Sequence, residues 1–197
     1  MSSVRYRSGE GELIPVIALI IVNVIVYLAI NIAAYSGAGI VQYLALSRAT
    51  VMAEPWTILT SMFTHMDFMH LLANMVTLYF YGSFLNRITG TRTFLWIYFG
   101  GGLLSALAVL LLSNPMSFTI GASGAVFALG GALAVLVPKL KVFIFPIPVP
   151  MPLWVAVLIG FLLLAFIPDV SWQGHLGGLL FGLAAGWYLR GRLRVVL

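Results

Sequence analysis

Three polar clusters stand out in a chain that is 62% apolar: His65-x4-His70-x3-Asn74, Gly121-Ala122-Ser123-Gly124 and Gly174-His175. A serine hydroxyl is a weak nucleophile until a neighbouring base takes its proton. His175 is the one histidine outside the first cluster, and a neutral imidazole suits that work. Ser123, expected at a helix start, also offers backbone N–H groups and the positive end of the helix dipole. Such donors stabilise the oxyanion of a tetrahedral intermediate. His70 and Asn74 lie four residues apart, on one helix face. Their imidazole and amide N–H groups would complete an oxyanion hole. No acid is placed for a triad: Glu54, Asp67 and Asp169 fall in loops or at span ends, and Glu10 and Glu12 in the N-terminal tail. The expectation is a Ser123–His175 dyad whose imidazole is oriented by packing. Phe127, one helical turn after the serine on the same face, is the candidate for that contact.

Each cluster has a blander reading. Gly-Ala-Ser-Gly in a membrane helix is most often a packing surface. It is not the Gly-x-Ser-x-Gly elbow, because position 125 is alanine. An intramembrane histidine also serves structural or transport roles, and Asn74 would equally bond a neighbouring helix. His65 and His70 would hold a metal with His175 or Asp67, but no His-Glu-x-x-His accompanies them.

The elements that must position these residues follow from composition. Of 197 residues only 15 are formally charged, 10 basic and 5 acidic, or 8%. A soluble surface carries about 25–35%, so a soluble globular domain and a disordered chain are both excluded. The net charge of +5 is too sparse to tile a nucleic-acid groove. With no cysteine there is neither disulfide nor thiolate chemistry. The fold class is all-α, a polytopic membrane bundle.

Charge-free runs cover Leu13–Ser47, Phe68–Asn86, Thr93–Pro138, Val142–Pro168 and Val170–Leu189. A helix needs about 20 apolar residues to cross the hydrocarbon core. The third run, 46 residues long, breaks at Ser113-Asn114-Pro115, a turn signal. Six transmembrane helices follow, at about 13–35, 67–86, 93–112, 121–137, 150–167 and 173–190. They make one six-span domain over 13–190, with tails at 1–12 and 191–197. Nine basic residues (5, 7, 87, 92, 139, 141, 190, 192 and 194) share one side, and Arg48 sits opposite. The positive-inside rule then places a multi-pass protein in the cell membrane with both termini cytosolic, which agrees with an even span count. The first apolar run is too long for a signal peptide and lacks a cleavage site. The five tryptophans fall near span ends, as an interfacial belt would.

In this topology the second, fourth and sixth spans all begin on the outer side, so Ser123, His175, His70 and Asn74 share the outer half of the membrane. From Ser123 to Val137 is about 22 Å of helix, against a core of roughly 30 Å. The serine therefore starts several ångströms below the surface, and Asn114–Ile120 must dip inward as irregular backbone. That is tolerated where it is buried in protein or lines a wet cavity. Gly174, Gly178, Gly182 and Gly186 form a stripe on the sixth span. Gly121, Gly124, Ala125, Ala128, Gly131 and Ala132 offer the fourth a matching small face. Such faces let helix backbones approach closely. The 1–2 loop, 36–66, is long and apolar, with Tyr43, Leu44, Leu46, Met52 and Trp56 expected at the outer interface. Pro146, Pro148, Pro150 and Pro152 favour an extended approach to the fifth span.

These residues resemble the rhomboid family of intramembrane serine proteases. The matching pieces are His70-Leu71-Leu72-Ala73-Asn74, Gly121-Ala122-Ser123-Gly124 and Gly174-His175-Leu176-Gly177-Gly178, in the family's order. The resemblance covers essentially the whole chain in the minimal six-span form. It implies Ser123 as nucleophile and His175 as general base, with Asn74, His70 and the Ser123 amide as the oxyanion hole. Gly121, Gly124, Phe127 and Gly174 are supporting residues. The implied substrate is a single-span transmembrane protein, entering laterally from the lipid bilayer and cleaved near its outer end. Neither a cofactor nor a metal is implied. The chain departs from the family's common pattern in three places: Thr57 follows Trp56 where arginine is frequent, Asn86 stands for a glutamate, and Phe127 for a tyrosine. A small transporter or channel would need ionisable residues through the inner half of the spans, which has none. An inactive scaffold of the same fold would lack Ser123 or His175.

Overall fold

The computed structural model describes residues 13–144, 147–168 and 170–192. Six long helices carry the fold: α1 (Ile14–Tyr35), α2 (Phe68–Thr89), α3 (Thr91–Leu112), α4 (Ser123–Leu136), α5 (Leu153–Ala165) and α6 (Trp172–Arg190). The expected Arg5, Arg7, Pro146, Asp169 and Arg194 positions lie outside the described residues.

Local chemistry sets most helix ends. Pro15 lies in the first turn of α1, where its missing N–H is no loss. That helix stops as Gly37 turns to φ +83°, with the Ala38 N–H reaching back to the Ala33 carbonyl at 2.9 Å. Asp67 caps α2, its carboxylate accepting the His70 N–H at 2.8 Å. A wider π turn at Leu78–Gly82 interrupts α2 without ending it. Gly90, at φ +83°, alone separates α2 from α3. The sequence predicts a longer loop there, because Arg87 and Arg92 leave the apolar run. The helices nevertheless continue past it, since hydropathy marks the lipid-compatible stretch and not the last helical hydrogen bond.

Two expected spans are shorter as helices. α4 starts at Ser123, not 121, because Gly121 adopts φ +114°. α5 starts at Leu153, not 150, because β2 continues through Pro150 and Pro152. The extended chain expected from the alternating prolines is half of a two-stranded antiparallel ribbon, β1 (Lys141–Ile144) and β2 (Ile147–Pro152). Lys141 pairs with Pro152 and Val142 with Met151, ahead of a bulge. Both strands are edges, where prolines lacking an N–H are tolerated. The Leu153 N–H closes the ribbon onto the Leu140 carbonyl at 2.8 Å.

By length and composition α1, α2 and α3 can each cross a bilayer, and α4 and α5 are shorter apolar helices. Large apolar side chains cover the outside, among them Ile25 and Ile32 on α1, Leu162 and Leu163 on α5, and Trp187 on α6. Such a surface is stable against lipid and not against water. α4 is the buried centre, with ten of its 14 residues inaccessible. It lies against α6, α3 and α5. The α4–α6 seam is built from absences: a Cβ at Gly178 would meet the Gly124 carbonyl, one at Gly182 the Ala128 carbonyl, and one at Gly186 the Ala132 carbonyl. Backbone therefore packs on backbone, the membrane route to dispersion energy when no hydrophobic drive separates helix from lipid.

The 36–67 connection is ordered. Trp56 Nε1 donates to the Tyr43 carbonyl at 2.8 Å, and Thr60 Oγ1 to the Leu44 carbonyl at 2.9 Å. Leu46 and Thr119 exchange backbone bonds at 2.9 and 2.8 Å, which ties this loop to the α3–α4 loop. Tyr43, Met52 and Trp56 are exposed as expected, but Leu46 points inward and is buried. Its backbone partner in the other loop turns it, a pairing that no local pattern announces.

Candidate active site

Gly121 sets the geometry. Its φ of +114° is one that L side chains rarely adopt. A Cβ there would stand 2.7 Å from His70 Nε2 and 3.8 Å from Ser123 Oγ. The imidazole and the hydroxyl therefore flank the same small opening. Immediately after it the chain enters α4, and Ser123 occupies the first turn, where N–H groups have no partner four residues back.

His175 reaches this point from α6. Ser171 caps that helix, its Oγ accepting the Gly174 N–H at 3.4 Å. Gly174 and Gly124 allow the two helices to close: a Cβ on Gly124 would meet the Ser105 side chain and stand 3.4 Å from the Gly174 carbonyl. The result is a Ser123 Oγ to His175 Nε2 distance of 2.8 Å, within the range for an activated hydroxyl. The Phe127 ring lies 4.7 Å from the imidazole, tilted by 37°. His175 Nδ1 has no hydrogen-bond partner among the described residues, and the contact they offer the imidazole besides Ser123 is the Phe127 ring. His175 is buried while Ser123 is only half-buried.

His70 and Asn74 follow each other along α2. Asn74 is buried, and its Nδ2 donates to the His70 carbonyl at 3.0 Å. An amide has two such hydrogens, so one N–H remains. Among the described residues no three histidine, aspartate or glutamate side chains form a ligand set.

Two neighbours carry no catalytic role in the sequence reading: His65, which stands in the first polar cluster and is weighed there only as a metal ligand, and Ser105. His65 is fully buried, and its Nε2 accepts the Ala122 N–H at 3.4 Å. Its ring stands edge-on to His70, with centroids 4.9 Å apart. Ser105, on α3, fills the space beside Gly124 and Gly174. Both are polar groups within apolar surroundings, a signal the sequence does carry. What they touch is not local and so was not legible.

A family profile described as the rhomboid domain matches residues 52–192. The chain is 30% identical over 170 residues to the mitochondrial Rhomboid protein 1 of Saccharomyces cerevisiae, covering 75% of this chain and 45% of that one. It is 31% identical over 133 residues to Rhomboid protease GluP of Bacillus subtilis, covering 67% and 25% respectively. Similarity to Rhomboid-like protease 3 of Toxoplasma gondii is 34% over 137 residues, covering 68% and 51%. The chain thus spans about half or less of the length of these relatives.

Proposed function

The chain belongs to the rhomboid family, and on that premise we propose that it is an intramembrane serine endopeptidase working through a Ser123–His175 dyad. The observation that supports this most is the 2.8 Å contact between Ser123 Oγ and His175 Nε2, made across two helices.

In the proposed reaction His175 Nε2 takes the hydroxyl proton as Ser123 Oγ attacks the scissile carbonyl carbon. The carbonyl oxygen becomes an oxyanion. The Ser123 N–H, the free Asn74 amide N–H and the His70 imidazole receive it, each stronger in a site shielded from bulk water. The intermediate collapses as His175 gives its proton to the leaving amine, which leaves an acyl-enzyme on Ser123. Water, deprotonated by His175, attacks that ester and returns the hydroxyl. Phe127 keeps the imidazole in its plane throughout. The substrates are single-span transmembrane proteins cut near the outer membrane face, with both termini of the enzyme in the cytosol. The shortness of α4 supports that depth, because its first turn cannot reach the surface from the other side.

A fluorophosphonate or isocoumarin should label Ser123 in folded protein, and labelling should be lost in His175→Ala. Labelling that persists without the imidazole would refute the dyad. Asn74→Ala removes one oxyanion donor and should lower kcat by up to about 100-fold with little loss of stability. An unchanged kcat, measured on a single-span substrate, would take Asn74 out of the site.

A further inference from the structure

The backbone just ahead of Ser123 is held from behind by the connection that precedes α2. The Gly121 N–H donates to the Ser61 carbonyl at 2.8 Å, and the Ala122 N–H donates to His65 Nε2 at 3.4 Å. Two successive N–H groups thus turn away from the opening. The next one, on Ser123, is the first of the helix. Gly121 itself supplies no restraint, since glycine rotates more freely than any other residue. The Gly121–Ala122 peptide therefore needs an outside clamp if the Ser123 N–H is to keep one direction. His65 is that clamp, and its ring edge also backs the His70 imidazole. One fully buried side chain thus contacts both the residue just ahead of Ser123 and the ring of His70.

We propose that His65 is a positioning residue for the oxyanion hole, aligning the Ser123 N–H through Ala122 and the imidazole of His70 through ring contact. The proposal rests on the peptidase reading above for its catalytic consequence, though not for the contact itself. Accepting the Ala122 N–H requires a bare Nε2, hence a neutral ring protonated on Nδ1.

Two substitutions separate positioning from filling. His65→Leu keeps the approximate volume and deletes the acceptor. His65→Gln keeps an acceptor near the place of Nε2. Leucine should lower kcat on a single-span substrate by about 10-fold or more, with KM moving less than about twofold. Fluorophosphonate labelling of Ser123 should slow in step, and glutamine should restore most of both rates. Equal losses in the two variants, tracking their thermal midpoints, would mean that His65 only fills space and would overturn the proposal. Imidazole 15N spectra of the Ser123→Ala protein give an arm independent of activity. They should show His65 protonated on Nδ1 at neutral pH, and an Nε2–H tautomer would overturn the proposal whatever the kinetics. A wild-type protein that neither cleaves nor labels would instead overturn the peptidase reading, and the spectra would still test the contact.

Discussion

Ser123→Ala should abolish cleavage of a single-span substrate by the reconstituted protein. In the proposed mechanism the hydroxyl oxygen is the atom that bonds to the substrate carbon, and alanine offers no replacement. The chain has no cysteine, and among the described residues no other hydroxyl is hydrogen-bonded to a histidine ring. Losses at a serine nucleophile run to about 10^6-fold in kcat, with binding and the oxyanion donors supplying what remains. The variant should still fold. Alanine is at ease in a helix, and the lost Ser123–His175 bond is worth about 1 kcal/mol net. Thermal unfolding beside the cleavage assay checks both halves. Cleavage at the wild-type rate would end the assignment of Ser123 and would move attention to the inactive-scaffold reading.

The second large effect is expected from a single methyl group. In Gly178→Ala the new Cβ would meet the Gly124 carbonyl, a backbone atom that cannot swing aside. α4 and α6 would have to part by roughly an ångström, at a cost of about 1–3 kcal/mol from strain and lost contacts. The same shift acts on chemistry. Gly124 adjoins the serine, and Gly178 lies three residues after His175. Misplacing reacting groups by about an ångström costs on the order of 100-fold. Gly178→Ala should therefore lose both thermal stability and activity. Gly160→Ala on α5 is the control: nothing stands within 4 Å of its Cβ position, and alanine gains helix propensity of up to about 1 kcal/mol. A Gly178→Ala protein as stable and active as wild type would show that the α4–α6 seam is looser than described.

Much of this was legible residue by residue. Arg87, Lys139 and Arg190 bracket apolar runs, and the six long helices lie on those runs, α2, α3 and α6 passing their ends by a few residues. The glycines at 174, 178, 182 and 186 announced a close helix approach, and their Cβ positions do meet α3 in the first case and α4 in the other three. Gly121 ahead of Ser123 marked a helix start, though two residues too early. The ribbon was half-legible: alternating prolines indicate extended chain, but Lys141–Ile144 carries nothing that names its partner.

Lipid solubility, charge bias, turn residues and small-residue spacing are properties of a short stretch of chain. They determined, before any coordinates, the membrane bundle, the order of its helices and which side chains are candidates for chemistry. Contacts across 52 residues, as between Ser123 and His175, or 57, as between His65 and Ala122, belong to no stretch. They arise where α4 and α6 settle backbone to backbone and where the 36–67 connection folds under the serine. The tertiary structure alone decided those, because interhelical distance is set by the shape of both surfaces at once, and either sequence segment states only its own half.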